Sequence, residues 1–219
     1  MKNYTALSTK KLTPEQQALL FGAGIHLTHY DAITIEKVEF KFETPIKNAI
    51  ITSRHAARMI IDKKIHIENC YCVGEKTKAV LTQNNLKVSE TGRNSKDLAQ
   101  KIIENHKNET FTFFCGDKRR DELPALLNTQ NITLKEINIY KTRLNPGTIK
   151  NNADAILFFS PSAVEAFILK NAIGNSTVFC IGPTTASEAR KYTKNICIAG
   201  HPTIEDVLTQ VINHKNKHD

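Results

Sequence analysis

Two stretches late in the chain carry the residue types best suited to chemistry, FFSPSAVEAF (158–167) and FCIGPTTASEA (179–189). In each, a short apolar run meets Gly, Pro and hydroxyl residues and then a helix-type pattern. That is how a buried parallel strand reads where it turns into a helix. At such a corner, hydroxyls and backbone N–H groups gather at the positive end of a helix dipole. A bound carboxylate or phosphate gains about 0.3–1 kcal/mol there per exposed helix end. Ser160, Ser162, Gly182, Thr184 and Thr185 are therefore candidate anion-binding residues.

The same corners occur earlier in the chain. AIITSRHAARMI (49–60) aligns with AILFFSPSAVEAFI (155–168), placing Ser53 over Ser160. YCVGEKTKAV (71–80) aligns with FCIGPTTASEA, placing Gly74 over Gly182 and Thr77 over Thr185. Thr52, Ser53, Gly74 and Thr77 thus join the candidates. LKVSETGRNSKDLAQKI (86–102) resembles ICIAGHPTIEDVLTQVI (196–212), and 4–33 resembles 111–139 with Leu19-Leu20 over Leu126-Leu127. Offsets that stay so nearly constant over several strand–helix units mark an internal duplication.

No Ser-His-Asp set, carboxylate pair or Walker-type Gly-Lys-Ser/Thr accompanies these hydroxyls. Without an adjacent base they are weak nucleophiles, so covalent catalysis is not expected. Such corners are suited to holding several carboxylates at once. They are equally suited to capping their own helices, worth about 1 kcal/mol each. Tyr140, in INIYKT, stands apart. Its phenol is able to donate a proton or hydrogen bond to a leaving hydroxyl, and it fits an amphipathic packing role equally well.

The order of the elements is short unit, long unit, short unit, long unit. Residues 34–45 and 139–145 read as extended connectors, predicted to run side by side as a two-stranded β-ladder. The expected fold is α/β, with two similar parallel-sheet (Rossmann-like or flavodoxin-like) domains joined by that ladder. One domain is discontinuous (1–33 plus 146–219) and the other continuous (46–138). Ligands bind outside the carboxyl ends of such sheets, and all four corners are expected to line one cleft. Locally, Thr13-Pro14-Glu15 has the form of a helix start. Gly22-Ala23-Gly24 is a turn and not a phosphate loop, because it follows a helix and precedes a strand. A helix is predicted over Arg119–Leu127, and a frayed tail over HKNKHD.

The totals narrow the class. A chain of 219 residues with 40% hydrophobic and 24% charged residues is an ordinary globular protein of one or two domains. The net charge of +8 attracts anions, among them nucleic acid or a small polycarboxylate, and equally serves solubility. Cys70, Cys72, Cys115, Cys180 and Cys197 sit in apolar strand-like runs without C-x-x-C spacing, so reduced buried thiols are expected in a cytoplasmic protein. The scattered histidines give no metal-ligand spacing. Neither a signal peptide nor a membrane span is expected. Nothing in the pattern calls for an oligomer, and a monomer is the expectation.

TSRHAARMI, YCVGEKT, FFCGDKRRDELP, INIYKT, FFSPSAVEAF and IGPTTASEA, in this order, resemble the motif series of the uroporphyrinogen-III synthase family. The resemblance implies two α/β domains joined by a β-ladder and a lyase that needs neither cofactor nor metal. Its substrate is the linear tetrapyrrole hydroxymethylbilane, with no nucleic acid or membrane partner. It implies loss of the terminal hydroxyl and attack by the substituted carbon of the last ring to give a spiro intermediate. Fragmentation and reclosure with that ring inverted then follow.

By position, Tyr140 matches the family's cleft tyrosine, and Thr52, Ser53, Thr77, Ser160, Ser162, Thr184 and Thr185 match its hydroxyl positions. There are two departures: Thr9-Lys10-Lys11 where the family has Thr-Arg-Pro, and Glu75-Lys76 where small residues are common. The rival reading is a non-enzymatic two-lobed protein that binds a polycarboxylate or other anion. It would have the corners and no use for a mobile phenol. A nucleotide-dependent transferase would need a Gly-rich phosphate loop, and none is found.

Overall fold

The computed structural model describes residues 4–150 and 152–217. In chain order the elements are β1 (Thr5–Ser8), α1 (Pro14–Gly22), β2 (His26–His29), β3 (Ile33–Lys37), β4 (Ile46–Ile51), α2 (Arg54–Asp62) and β5 (Ile67–Val73). Then come α3 (Glu75–Thr82), β6 (Val88–Gly92), α4 (Ser95–Asn105), β7 (Phe111–Gly116), α5 (Glu122–Thr129) and β8 (Leu134–Leu144). The last are β9 (Ala155–Phe158), α6 (Pro161–Ile168), β10 (Thr177–Cys180), α7 (Pro183–Ala189), β11 (Ile196–Ile198) and α8 (Ile204–Asn216). The chain forms two compact units, Met1–Thr34 with Arg143–Asp219, and Ile35–Thr142.

The first unit holds a parallel sheet in the order β11-β10-β9-β1-β2. The second holds five parallel strands in the order β6-β5-β4-β7-β8, with β3 outside β8. These are one sheet cut at two different places. β9, β10 and β11 correspond to β4, β5 and β6, and β1 and β2 correspond to β7 and β8. One unit therefore counts 2-1-3-4-5 along its own chain and the other 3-2-1-4-5, which are the flavodoxin-like and Rossmann-like orders. The short and long repeats of the sequence are these two pieces. The connectors do run side by side, β3 next to β8 with the Val38 N–H donating to the Ile139 carbonyl at 3.1 Å, and this ladder is continuous with the second sheet: β8 is a single strand of 11 residues that also pairs with β7 from Leu134 to Tyr140.

Strand alternation places successive side chains on opposite faces, and each face is covered by its own helix pair. Ile51, Cys70, Cys72 and Phe114 pack with α2 and α3, whereas Ile50, Tyr71 and Phe113 pack with α4 and α5. In the first unit Leu7, Ile156 and Cys180 meet α6 and α7, and Ala6, Leu157 and Phe179 meet α1 and α8. Two local expectations need correction. The fifth helix begins at Glu122 and not at Arg119, because Arg119 is tied by ion pairs to Asp121 and Glu136 in the preceding loop. Pro124 then lies in the first turn, where its missing N–H is not needed. The tail continues α8 to Asn216, because His214 is held in place. Tyr4 Oη lies 3.1 Å from its Nδ1, and its ring stands edge-on to Phe179, with centroids 5.5 Å apart.

All five cysteines are unbridged. Burial pushes the thiols of Cys70 and Cys180 up to about 12 and that of Cys115 up to about 11. A pKa raised by folding stabilises the native state while the group stays protonated in both states, and this contribution fades as pH rises. Unfolded thiols ionise near 8.5, so stability is expected to fall from about pH 9 upward. The slope is about 1.4 kcal/mol per pH unit for each such thiol until its folded pKa is reached. Urea unfolding at a series of pH values between 8 and 11 measures it, and a flat profile would refute the burial argument.

Candidate functional site

In each unit the candidate residues lie where parallel strands end and helices begin. In the second unit the switch point lies between β4 and β7, whose following helices α2 and α5 cover opposite faces of the sheet. A ligand-binding crevice opens at such a point. Ser53 ends the first of these turns. Its Oγ accepts a hydrogen bond from the Ala56 N–H at 3.1 Å and caps α2. Ser160 repeats this in the first unit, its Oγ accepting from the Ala163 N–H at 3.1 Å to cap α6. For these two serines, the capping role is real.

The other two corners are built differently. α3 and α7 start at Gly74 and Gly182, and neither helix has a side-chain cap on its first turn. Gly74 has a φ of +81°, which an L side chain rarely adopts. The hydroxyl candidates also divide by exposure. Thr77, Ser162 and Thr185 are buried inside their units, Thr52, Ser53 and Ser160 are half-buried, and Thr184 is exposed. A ligand at the buried positions would meet the backbone of the turn before it met the hydroxyl.

Tyr140 sits at the second unit's switch point. Its phenol and Ser53 Oγ share a hydrogen bond of 3.2 Å, so Ser53 both caps a helix and orients the phenol. The ring lies flat against Gly116: a Cβ built there would stand 2.2 Å from Tyr140 Cε2. His55, in the first turn of α2, places its ring 6.1 Å from the Tyr140 ring, centroid to centroid. Burial is the main cause that raises the Tyr140 pKa above the ordinary phenol value. The Ser53 hydrogen bond opposes that rise, and the nearby Cys115 and Asp117 add to it. The group is therefore a neutral O–H at physiological pH, fit to donate and unable to act as a base.

A β-bulge sets this position. Cys115 pairs with Asn138 but Gly116 pairs with Tyr140, so Ile139 is an extra residue in β8. Without it, Ile139 and Tyr140 would point to opposite faces. With it, both pack against the cluster beneath α2 and α3. His55, Gly116, Asp117 and Arg119 all belong to this corner and were not singled out from sequence. FFCGDKRRDELP entered only as one motif of the family resemblance, and the lapse of alternation at Tyr140-Lys141 does not by itself specify a bulge.

Among the described residues no group of three or more His, Cys, Asp or Glu side chains is placed to hold a metal ion. No described helix is long and apolar enough to cross a membrane. The structure of uroporphyrinogen-III synthetase from Helicobacter pylori is similar over 96% of this chain and 99% of its own, with a TM-score of 0.74 at 16% identity. A mutant uroporphyrinogen III synthase from the extremely thermophilic bacterium Thermus thermophilus is similar over 99% of this chain and 100% of its own, with a TM-score of 0.67 at 13% identity. At such identities the likeness is one of fold. The family model for uroporphyrinogen-III synthase HemD matches residues 18–209, a span that takes in the second unit's switch point, the bulge and Tyr140. The chain belongs to the uroporphyrinogen-III synthase family.

Proposed function

We propose that Tyr140 donates to the departing hydroxyl of hydroxymethylbilane, while the strand–helix corners hold the substrate's carboxylates. The reaction is the family's: the terminal C–O bond breaks and water leaves, and the substituted carbon of the last ring attacks to form a spiro centre. That centre fragments and recloses with the ring inverted. The observation that carries the residue assignment is the neutral, half-buried phenol fixed to Ser53 at a switch point.

The uncapped turns at Gly74 and Gly182 supply backbone N–H groups, and the net charge of +8 draws in a polycarboxylate. Because hydroxymethylbilane also closes unaided to the type I isomer, the enzyme's contribution is chiefly orientation. Holding reacting atoms in a near-attack geometry is worth about 7–11 kcal/mol. Many modest contacts and one proton donor suffice. A protein that only bound the anion would gain nothing from a held phenol. Unbridged cysteines fit action in the reducing cytoplasm, and we read the active species as a monomer.

Purified protein given hydroxymethylbilane, with no added metal or cofactor, is expected to release mainly the type III isomer. Type I product alone, at the uncatalysed rate, would overturn the assignment. Tyr140→Phe is expected to lower kcat about tenfold, the loss of one hydrogen bond to a developing charge, with KM changed less than threefold. Wild-type kinetics in that variant would return Tyr140 to packing.

A further inference from the structure

We infer that Asp117 is a positioning residue for Tyr140, clamping the bulged strand at the tyrosine's own carbonyl and two residues beyond it so that its phenol meets Ser53. Its backbone N–H donates to the Tyr140 carbonyl at 3.1 Å, and its Oδ1 accepts from the Thr142 N–H at 2.8 Å. The two bonds straddle Lys141 and fix the peptide planes on either side of it. They also replace the regular ladder, which is broken where Gly116 pairs with Tyr140. A bulged strand without such partners has unpaired backbone groups and is free to slip by one residue, which would turn Tyr140 to the other face.

The loop that carries Asp117 is itself anchored. The Arg119 N–H donates to the Gly116 carbonyl at 3.2 Å, and the Arg119 guanidinium bonds Glu136 on β8 as well as Asp121. β8 is thus held to one loop at Glu136, Tyr140 and Thr142, and the tyrosine is the middle point. Asp117 also lies close enough that its charge helps to raise the phenol pKa. This keeps the O–H a donor.

The inference rests on the reading of Tyr140 as proton donor, and its test separates the two. Asp117→Ala removes the acceptor for Thr142, whereas Asp117→Asn keeps an oxygen there and removes only the charge. Asp117→Ala is expected to lower kcat five- to tenfold with KM within twofold, and Asp117→Asn to recover most of that loss. With 13C-labelled tyrosine, the Tyr140 ring signal, assigned by its disappearance in Tyr140→Phe, should shift in Asp117→Ala toward that of the exposed Tyr192. In Asp117→Asn it should stay near the wild-type position. An unmoved ring signal in Asp117→Ala, or equal losses of kcat in both variants, would overturn the positioning role. The ring signal needs no substrate. A chain inactive on hydroxymethylbilane would sink the functional reading while the spectra still decided the placement of the ring.

Discussion

Gly92→Ala is expected to destabilise the protein by about 3 kcal/mol or more, the upper end of overpacking penalties. Gly92 closes β6 and is buried, and the first turn of α4 presses directly on it. A Cβ there would stand 2.5 Å from Leu98 N, 2.6 Å from Leu98 Cβ and 2.7 Å from Leu98 Cα. Two of these atoms are backbone, so no rotamer change relieves the clash and the helix itself must move. It is poorly able to. Asn94 Oδ1 caps it by accepting from the Asp97 N–H at 2.9 Å, and Asp97 Oδ2 accepts from the Arg93 N–H at 2.8 Å. Leu98, Ala99 and Ile102 are fully buried against the sheet. Thermal and urea unfolding measure the loss. Two controls separate the clash from a general cost of replacing glycine. A Cβ at Gly200 would meet nothing nearer than Asp206 Oδ2 at 3.7 Å, so Gly200→Ala should be near neutral. Gly22, in the last turn of α1, meets nothing within 4 Å, and Gly22→Ala should stabilise by about 0.5–1 kcal/mol. If all three variants behaved alike, the close approach at Gly92 would not be the cause.

The sequence carried most of the fold because its signals are local and occur twice. Apolar runs ending in Ser or Gly just before helical periodicity mark strand–helix corners, and the duplicated order exposes a sheet entered at two different points. The helix start at Thr13-Pro14-Glu15 is legible because its signal is local; the structure adds a capping box, with the Gln16 N–H donating to Thr13 Oγ1 at 3.3 Å and the Thr13 N–H donating to Gln16 Oε1 at 3.1 Å. The fine structure of the corner around Tyr140 was not legible, because it depends on pairing across the sheet. INIYKT alternates as far as Ile139 and then loses the pattern at Tyr140-Lys141, and a lapse of alternation does not by itself say that Ile139 will be skipped by β7. Gly116 is the last residue of β7. Its lack of a side chain acquires meaning only when a ring from another strand lies on it. Ser53 shows a different limit. Cap and site residue looked like rival readings, yet one oxygen accepts from the Ala56 N–H and still meets the phenol.

That ring-on-glycine contact is the source of the other large expected effect. Gly116→Ala would place a methyl carbon 2.2 Å from Tyr140 Cε2 and 2.4 Å from Cζ, inside the ring's own van der Waals surface. The strand end cannot retreat, since Gly116 is buried and its carbonyl is held by Arg119. The ring must therefore swing off, and in doing so it loses Ser53. Activity should fall by about a hundredfold or more, beyond the tenfold loss expected for Tyr140→Phe, because a displaced ring also occupies space in the corner and a small misplacement of substrate is costly. The rest of the second unit should remain folded, with a stability loss of about 1–3 kcal/mol. A double-mutant cycle identifies the cause. Adding Tyr140→Ala makes room for the methyl group, so Gly116→Ala should cost much less stability in that background than in the wild type, while type III isomer formation stays low. Gly116→Ala with wild-type turnover and isomer ratio would show that the phenol does its work from somewhere other than the face of this glycine.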